Sequence, residues 1–272
     1  MMFGGTLLLS SCISDGINFP DVDSGEGEGK LVLSINPSAE FEKETRALNE
    51  ANYRDASNYT VELYKNGDDE PFETFRMSQS GSTLPVTVKK GSYWARAYYG
   101  TEKDASRDEF YMEGKSQLVQ VNPDGETTIP ITCTPTCGKI SVSFDAEMSS
   151  YYADYNVTFG GTEKLGSQTF QWLPNDNAPW YVYVKEEGET INYSIYVKVK
   201  EQYVYVADNG SKMTEGTATG SFTLNRNRAQ TLNIKPSYSP TEDGWLQITI
   251  TIDDSTNEPT EKTFTVPVSW IK

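Results

Sequence analysis

Cys12 is the first residue of this chain placed to do chemistry. It follows Leu9-Ser10-Ser11 at the end of a short apolar run. A Leu, two small residues and a Cys form the pattern at which a bacterial signal peptide is cut and the new N-terminal Cys is acylated. The run Met1–Leu9 is too short to span a bilayer, so residues 1–11 read as a signal peptide and Cys12 as the lipid attachment site. No Lys or Arg precedes Lys30, so the start is expected upstream of Met1. Nothing after Cys12 is long and apolar enough to cross a bilayer. The expected membrane contact is the N-terminal lipid alone.

Other reactive groups are scarce. The chain contains no histidine, which removes Ser-His-Asp and Cys-His catalysis and the common His-anchored zinc sites together. Cys133 and Cys137 flank Thr134-Pro135-Thr136. A disulfide between them needs a tight turn at Pro135, because residues four apart on an extended strand are too distant to bridge. Two thiols at the end of a strand are the alternative, and C-x3-C alone makes no zinc site. The carboxylates of Asp253-Asp254, Asp68-Asp69-Glu70 and Asp108-Glu109 fall in turns and read as solvated charge. Asn175-Asp176-Asn177 and Asp208-Asn209-Gly210 read as turns rather than calcium loops. Neither an enzyme activity nor a cofactor is expected. A formal charge of -16 repels nucleic acid and anionic lipid headgroups, so neither is an expected partner.

Aromatic side chains supply the best recognition candidate. Period-two alternation puts Trp180, Val182 and Val184 on one side of a strand and Tyr181, Tyr183 and Lys185 on the other. Ile191–Lys200 leaves Tyr196, Lys198 and Lys200 outward, and Tyr203 and Tyr205 oppose Val204 and Val206. If these strands are neighbours, Tyr181, Tyr183, Tyr196, Tyr203 and Tyr205 share a face with Trp180 nearby, on which sugar rings could stack. Outward tyrosines also pair routinely across strands and cover the backbone. Glycan binding is therefore the second reading.

The elements that position these groups are strands. Thr- and Val-rich runs alternate with period two and are punctuated by turn residues. Lys30–Asn36 turns Leu31, Leu33 and Ile35 inward. Residues 37–57 form a polar loop with a helical turn around 39–49. Strands follow at 59–65, 72–77, 84–88, 92–99, 117–121 and 127–133, completing a first sandwich of about seven strands. A second unit opens at Gly138-Lys139-Ile140, echoing Gly29-Lys30-Leu31, with strands at 139–145, 155–159, 168–173, 180–185, 191–200, 203–207, 220–224, 231–235, 246–252 and 263–271. The expected organisation is a lipidated acidic tether at 12–29, an N-terminal sandwich at 30–135 and a C-terminal sandwich at 136–272.

Gly27–Ile35, Ala56–Tyr64, Lys90–Gly100 and Gly138–Asp145 resemble an uncharacterised family of Bacteroidales surface lipoproteins, similar in turn to fimbrillin-type proteins. The resemblance implies an all-β chain of two transthyretin-like, immunoglobulin-like sandwiches behind a lipid anchor at the outer membrane surface. It also implies a structural or adhesive role as a fimbrial anchor or tip component. In such fimbrial subunits a protease cuts after an Arg following the first strand, and a neighbour's strand then fills the groove. Arg46, in Thr45-Arg46-Ala47, would be the processing site. Thr263–Ile271 would be a donated strand, with fimbrial subunits as partners by strand addition. The plainer readings are a solvated loop arginine and an ordinary last strand, since Pro267 marks an edge.

Overall fold

The computed structural model describes residues 27–39, 41, 50–78, 80–206, 210, 212–238, 246–253 and 260–265. The signal peptide, Cys12, Arg46 and everything after Thr265 lie outside them. The regular structure of the described residues is nearly all strand, as the alternation requires.

Strand β1 (Glu28–Pro37) buries Leu31, Leu33 and Ile35. A helical turn α1 (Ala51–Arg54) and a 3-10 turn at Ala56–Asn58 follow; Asp55 caps the latter by accepting from the Ser57 amide at 3.0 Å. Most of the segment expected to hold a helical turn, 39–49, lies outside the described residues. Then come β2 (Thr60–Lys65), β3 (Glu73–Arg76), β4 (Thr83–Lys89), β5 (Gly91–Gly100), β6 (Ala105–Ser106), β7 (Tyr111–Lys115), β8 (Val119–Val121) and β9 (Glu126–Pro135). β1 lies between β4, antiparallel, and β9, parallel. The facing layer runs β3-β2-β5-β7, with β8 also on β5. β7 closes one side by pairing Met112 and Glu113 with Pro135 and Thr134 of β9. Gly114 permits that approach, because a Cβ there would lie 2.1 Å from the Thr132 carbonyl oxygen.

The second half repeats this plan. It contains β10 (Cys137–Phe144), a turn of helix α2 (Met148–Tyr151), β11 (Tyr152–Gly160), β12 (Phe170–Trp172), β13 (Trp180–Tyr183) and β14 (Glu189–Val199). After a two-strand ribbon of β15 (Tyr205–Val206) and β16 (Lys212–Met213) come β17 (Glu215–Leu224), β18 (Ala229–Tyr238), β19 (Leu246–Asp253) and β20 (Thr260–Thr265). β10 lies between β13, antiparallel, and β18, parallel. The facing layer runs β12-β11-β14-β17. Strand for strand, β10, β11, β12, β13, β14, β17 and β18 occupy the places of β1, β2, β3, β4, β5, β7 and β9. The second half departs by adding β19 and β20 outside β18, where Ile248, Ile250 and Ile252 enter the core.

Each half has its own apolar core, one around Leu31, Leu63 and Ile131, the other around Ile140, Ile195 and Leu232. They meet at a joint made of several parts. β9 passes through buried Thr136 straight into β10. β6, from the first half, pairs with β13 of the second. The Arg107 guanidinium lies between the Trp172 and Trp180 rings, 5.0 and 4.7 Å from their centroids. It donates to the Ala178 and Gln171 carbonyls and to Asp176 at 2.6 Å. Deepest is an ion pair: Lys139 Nζ of β10 lies 2.7 Å from Glu50 Oε1, with both side chains 2% exposed. The Tyr181 hydroxyl donates to the same Glu50 oxygen at 2.6 Å.

Removing one member of such a pair leaves a buried charge uncompensated, which costs about 3–5 kcal/mol. Lys139→Ala should therefore lower the unfolding free energy measured by urea titration by that amount. The double variant Glu50→Gln, Lys139→Met should recover much of the loss, because it removes both charges and keeps an acceptor for Tyr181. Equal destabilisation in the single and double variants would show that packing alone holds the joint.

Candidate functional site

The tyrosines expected to share one face are divided among several environments. β13 pairs with β10 and β6, whereas β14 pairs with β11 and β17 in the opposite layer. Tyr181 does turn away from its own core, but the first half covers it: the ring packs on Phe41 and Phe110, with centroids 5.7 and 4.8 Å away. Trp180 lies under the Arg107 guanidinium, packs at a tilt on Phe170 and donates its indole N–H to the Gln171 carbonyl at 3.0 Å. Its ring is not free to take a sugar. Tyr183 lies under Lys164 Nζ, 3.6 Å from the centroid, with Arg226 on it as well.

Tyr203 belongs to a 3-10 turn, is 40% exposed and packs on Tyr151. Tyr205 lies on the β15–β16 ribbon. Tyr196 alone of the set stands on the outer face of the β11–β14–β17 layer. It donates to Glu215 at 2.8 Å, a bond that holds its phenol up at about 12. Beside it on β14, Ser194 and Asn192 line a hollow of about 560 Å³ with Thr158, Thr219 and Ser221. The hollow carries no charged side chain and no exposed aromatic face. Of the expected glycan face, Tyr196 stands near this hollow without lining it.

A further aromatic surface lies on the first half, where Trp94, Arg96 and Tyr98 alternate onto one side of β5. Trp94 stacks on Tyr64 of β2, with centroids 4.0 Å apart and planes 4° from parallel. Lys115 Nζ lies 3.9 Å from the Trp94 ring centroid. Arg96 donates to the Tyr111 hydroxyl at 2.9 Å and bridges Glu113 and Glu62 at 3.1 and 3.4 Å. These rings and charges satisfy one another across three strands. The arrangement is a cross-strand ladder rather than an open stacking platform.

Cys133 and Cys137 are free and buried, so no disulfide joins them. The physical reason is the absence of a turn at Pro135, since β9 remains extended to that residue and β10 begins at Cys137. Burial pushes the Cys133 thiol up to about 12 and raises Cys137 as well. Neither sulfur is placed to act as a nucleophile. Among the described residues no group of three or more Cys, Asp or Glu side chains could hold a metal ion.

Residues 27–268 match the family described as Domain of unknown function (DUF4493). No curated protein matches the chain. Among solved structures, the chain is similar to a fimbrial assembly protein from Parabacteroides distasonis, at 12% identity and a TM-score of 0.43, covering 86% of this chain and 98% of that one. It is also similar to the fimbrial anchor protein Mfa2 from Porphyromonas gingivalis, at 9% identity and a TM-score of 0.35, covering 87% and 98%. Both likenesses are too distant to transfer a function.

The buried thiols and phenols set the behaviour at high pH. Cys133 and Tyr111 rise to about 12 from ordinary values of 9.0 and 10.0 because burial disfavours their anions. The unfolded chain therefore releases protons that the folded chain still holds. Stability contributed by these groups is present below about pH 9 and is lost as pH rises from the unfolded values toward 12. A melting series from pH 7 to 11 should show Tm level at first and falling from about pH 9. With Cys12 replaced by Ser, a thiol reagent at pH 8 should label neither remaining cysteine until denaturant is added.

Proposed function

The chain belongs to the DUF4493 family, and we propose that this protein is a structural or adhesive component of the cell surface. In this reading it is a fimbrial anchor or tip, held at the outer membrane by a lipid on Cys12, that meets other subunits by strand addition. The role calls for no catalysis, and the chain has no histidine with which to assemble the usual triads.

The observation that carries the reading is the placement of β1. It is the first described strand, yet it lies inside a layer, between β4 and β9, rather than at an edge. Its buried positions are filled by Leu31, Leu33 and Ile35 in strict alternation. Each contributes about 1.5–3 kcal/mol of burial, and the remaining hold is main-chain pairing. Any extended segment with the same alternation can supply both. The chain is pinned again at Phe41 and Glu50, on either side of the polar segment that contains Arg46. A cut in that segment would leave Glu50 in place with the rest of the chain, and release of β1 would carry Phe41 out with it, because Phe41 lies on the β1 side of the cut.

Mass spectrometry of the protein from its native membrane tests this directly. An N-terminus at acylated Cys12 is expected for an anchor or tip. An N-terminus at Ala47 within an SDS-resistant ladder would make it a polymerising subunit instead. An unmodified Cys12 in a monomer from the cell interior would sink the proposal.

A further inference from the structure

The edges of the described layers are guarded in all but one place. β3 has four residues and carries Glu73 and Arg76, and β4 carries Pro85 and Lys89. β6 and β12 have two and three residues, and β20 contains Glu261 and Lys262. These are the usual devices against edge-to-edge pairing. β17 has none of them along its length. It spans ten residues, Glu-Gly-Thr-Ala-Thr-Gly-Ser-Phe-Thr-Leu, with one charge at its first position and no proline. Its register with β14 runs from Glu189↔Leu224 to Lys198↔Glu215 without a bulge. Among the described residues β14 is its only strand partner, whereas β7, which holds the same place in the first half, is paired on both sides.

The strand is complementary to itself. Gly216, Ala218, Gly220, Phe222 and Leu224 face the core side, and Thr217, Thr219, Ser221 and Thr223 face outward. Antiparallel pairing of two copies must keep inward positions opposite inward ones. The register with Gly220 opposite Gly220 does so. It sets Ala218 against Phe222 and Gly216 against Leu224, small against large, and it sets Thr217 against Thr223 and Thr219 against Ser221. Hydroxyl pairs of this kind stabilise a sheet. The two Glu215 carboxylates would lie about 34 Å apart, far beyond the Debye length.

A second observation falls at the same point. The Tyr193 ring crosses from β14 over Gly220, and its hydroxyl oxygen is the atom nearest to where a Cβ at 220 would stand, 2.3 Å away. That hydroxyl is buried and has no hydrogen-bond partner. Pairing about Gly220 sets the two glycines about 4.5–5.5 Å apart, so both of these hydroxyls fall beside the axis on the same side of the new ladder. We propose that β17 is the interface of a two-fold dimer of this protein, formed by antiparallel pairing of the two β17 strands about Gly220.

Sedimentation velocity over a concentration series tests the proposal with the full chain. The wild type should show a species of twice the monomer mass by about 500 µM. Thr219→Lys with Ser221→Lys places like charges across the axis and should abolish that species. The same change brings the net charge from -16 to -14, so any general charge effect would act the other way. Thr190→Lys, on the exposed face of β14, should leave the dimer intact. A wild type that stays monomeric throughout overturns the proposal and leaves the edge to a strand from another protein. A dimer indifferent to the two lysines overturns it as well.

Discussion

The contact on which the architecture most depends is the Lys139–Glu50 ion pair with the Tyr181 hydroxyl on the same oxygen. Lys139 belongs to the strand that opens the second half, and Glu50 to the end of the polar segment after β1. Neither charge has an exposed route to water, so the stability of each depends on the position of the other. That mutual dependence fixes the two sandwiches in one relative placement, to which the β6–β13 pairing and the Arg107 clamp are added. An apolar contact of the same size would tolerate sliding. A buried ion pair with a shared hydrogen bond does not.

Much of the fold was legible because period-two alternation is strong where one face is buried. β1, β5 and β14 follow from their sequences almost residue by residue. β7 escaped because Gly114 interrupts a five-residue strand, and the reason for that glycine is the β9 backbone, almost twenty residues further on. β17 was recognised only from Gly220 onward, since its first half is built of glycine, alanine and threonine and has little apolar signal. Alternation also limits what can be said of a site. It tells which side of its own strand Tyr181 or Tyr196 occupies, but not which strand lies alongside. Tyr181 points away from its own core, as alternation predicts, yet it is buried because the first half supplies the cover. The pairing of Glu50 with Lys139 could not be found at all, as it joins residues 89 apart with no local pattern to mark them.

The repeated plan of the halves makes their departures informative. In the first, β7 turns its outer side to β9, and the sandwich is closed there. In the second, β18 takes β19 and β20 instead, and among the described residues β17 is paired on one side. The Trp94–Tyr64 ladder and the Arg96 network show that abundant surface aromatics need not imply a ligand. Their faces are occupied by neighbouring side chains, which shields the backbone of the β2–β5–β7 sheet.

The parallel pairing of β1 with β9 has a further consequence, in time rather than in space. Lys30 meets Glu126 across 96 residues of chain, so β1 has no lateral partner on that side until β9 has been made. Contacts of such high sequence separation form slowly, because the loop between them must be closed first. Until β9 arrives, β4 is the one described strand β1 can pair with, and the main-chain groups on the other side of β1 are left to water.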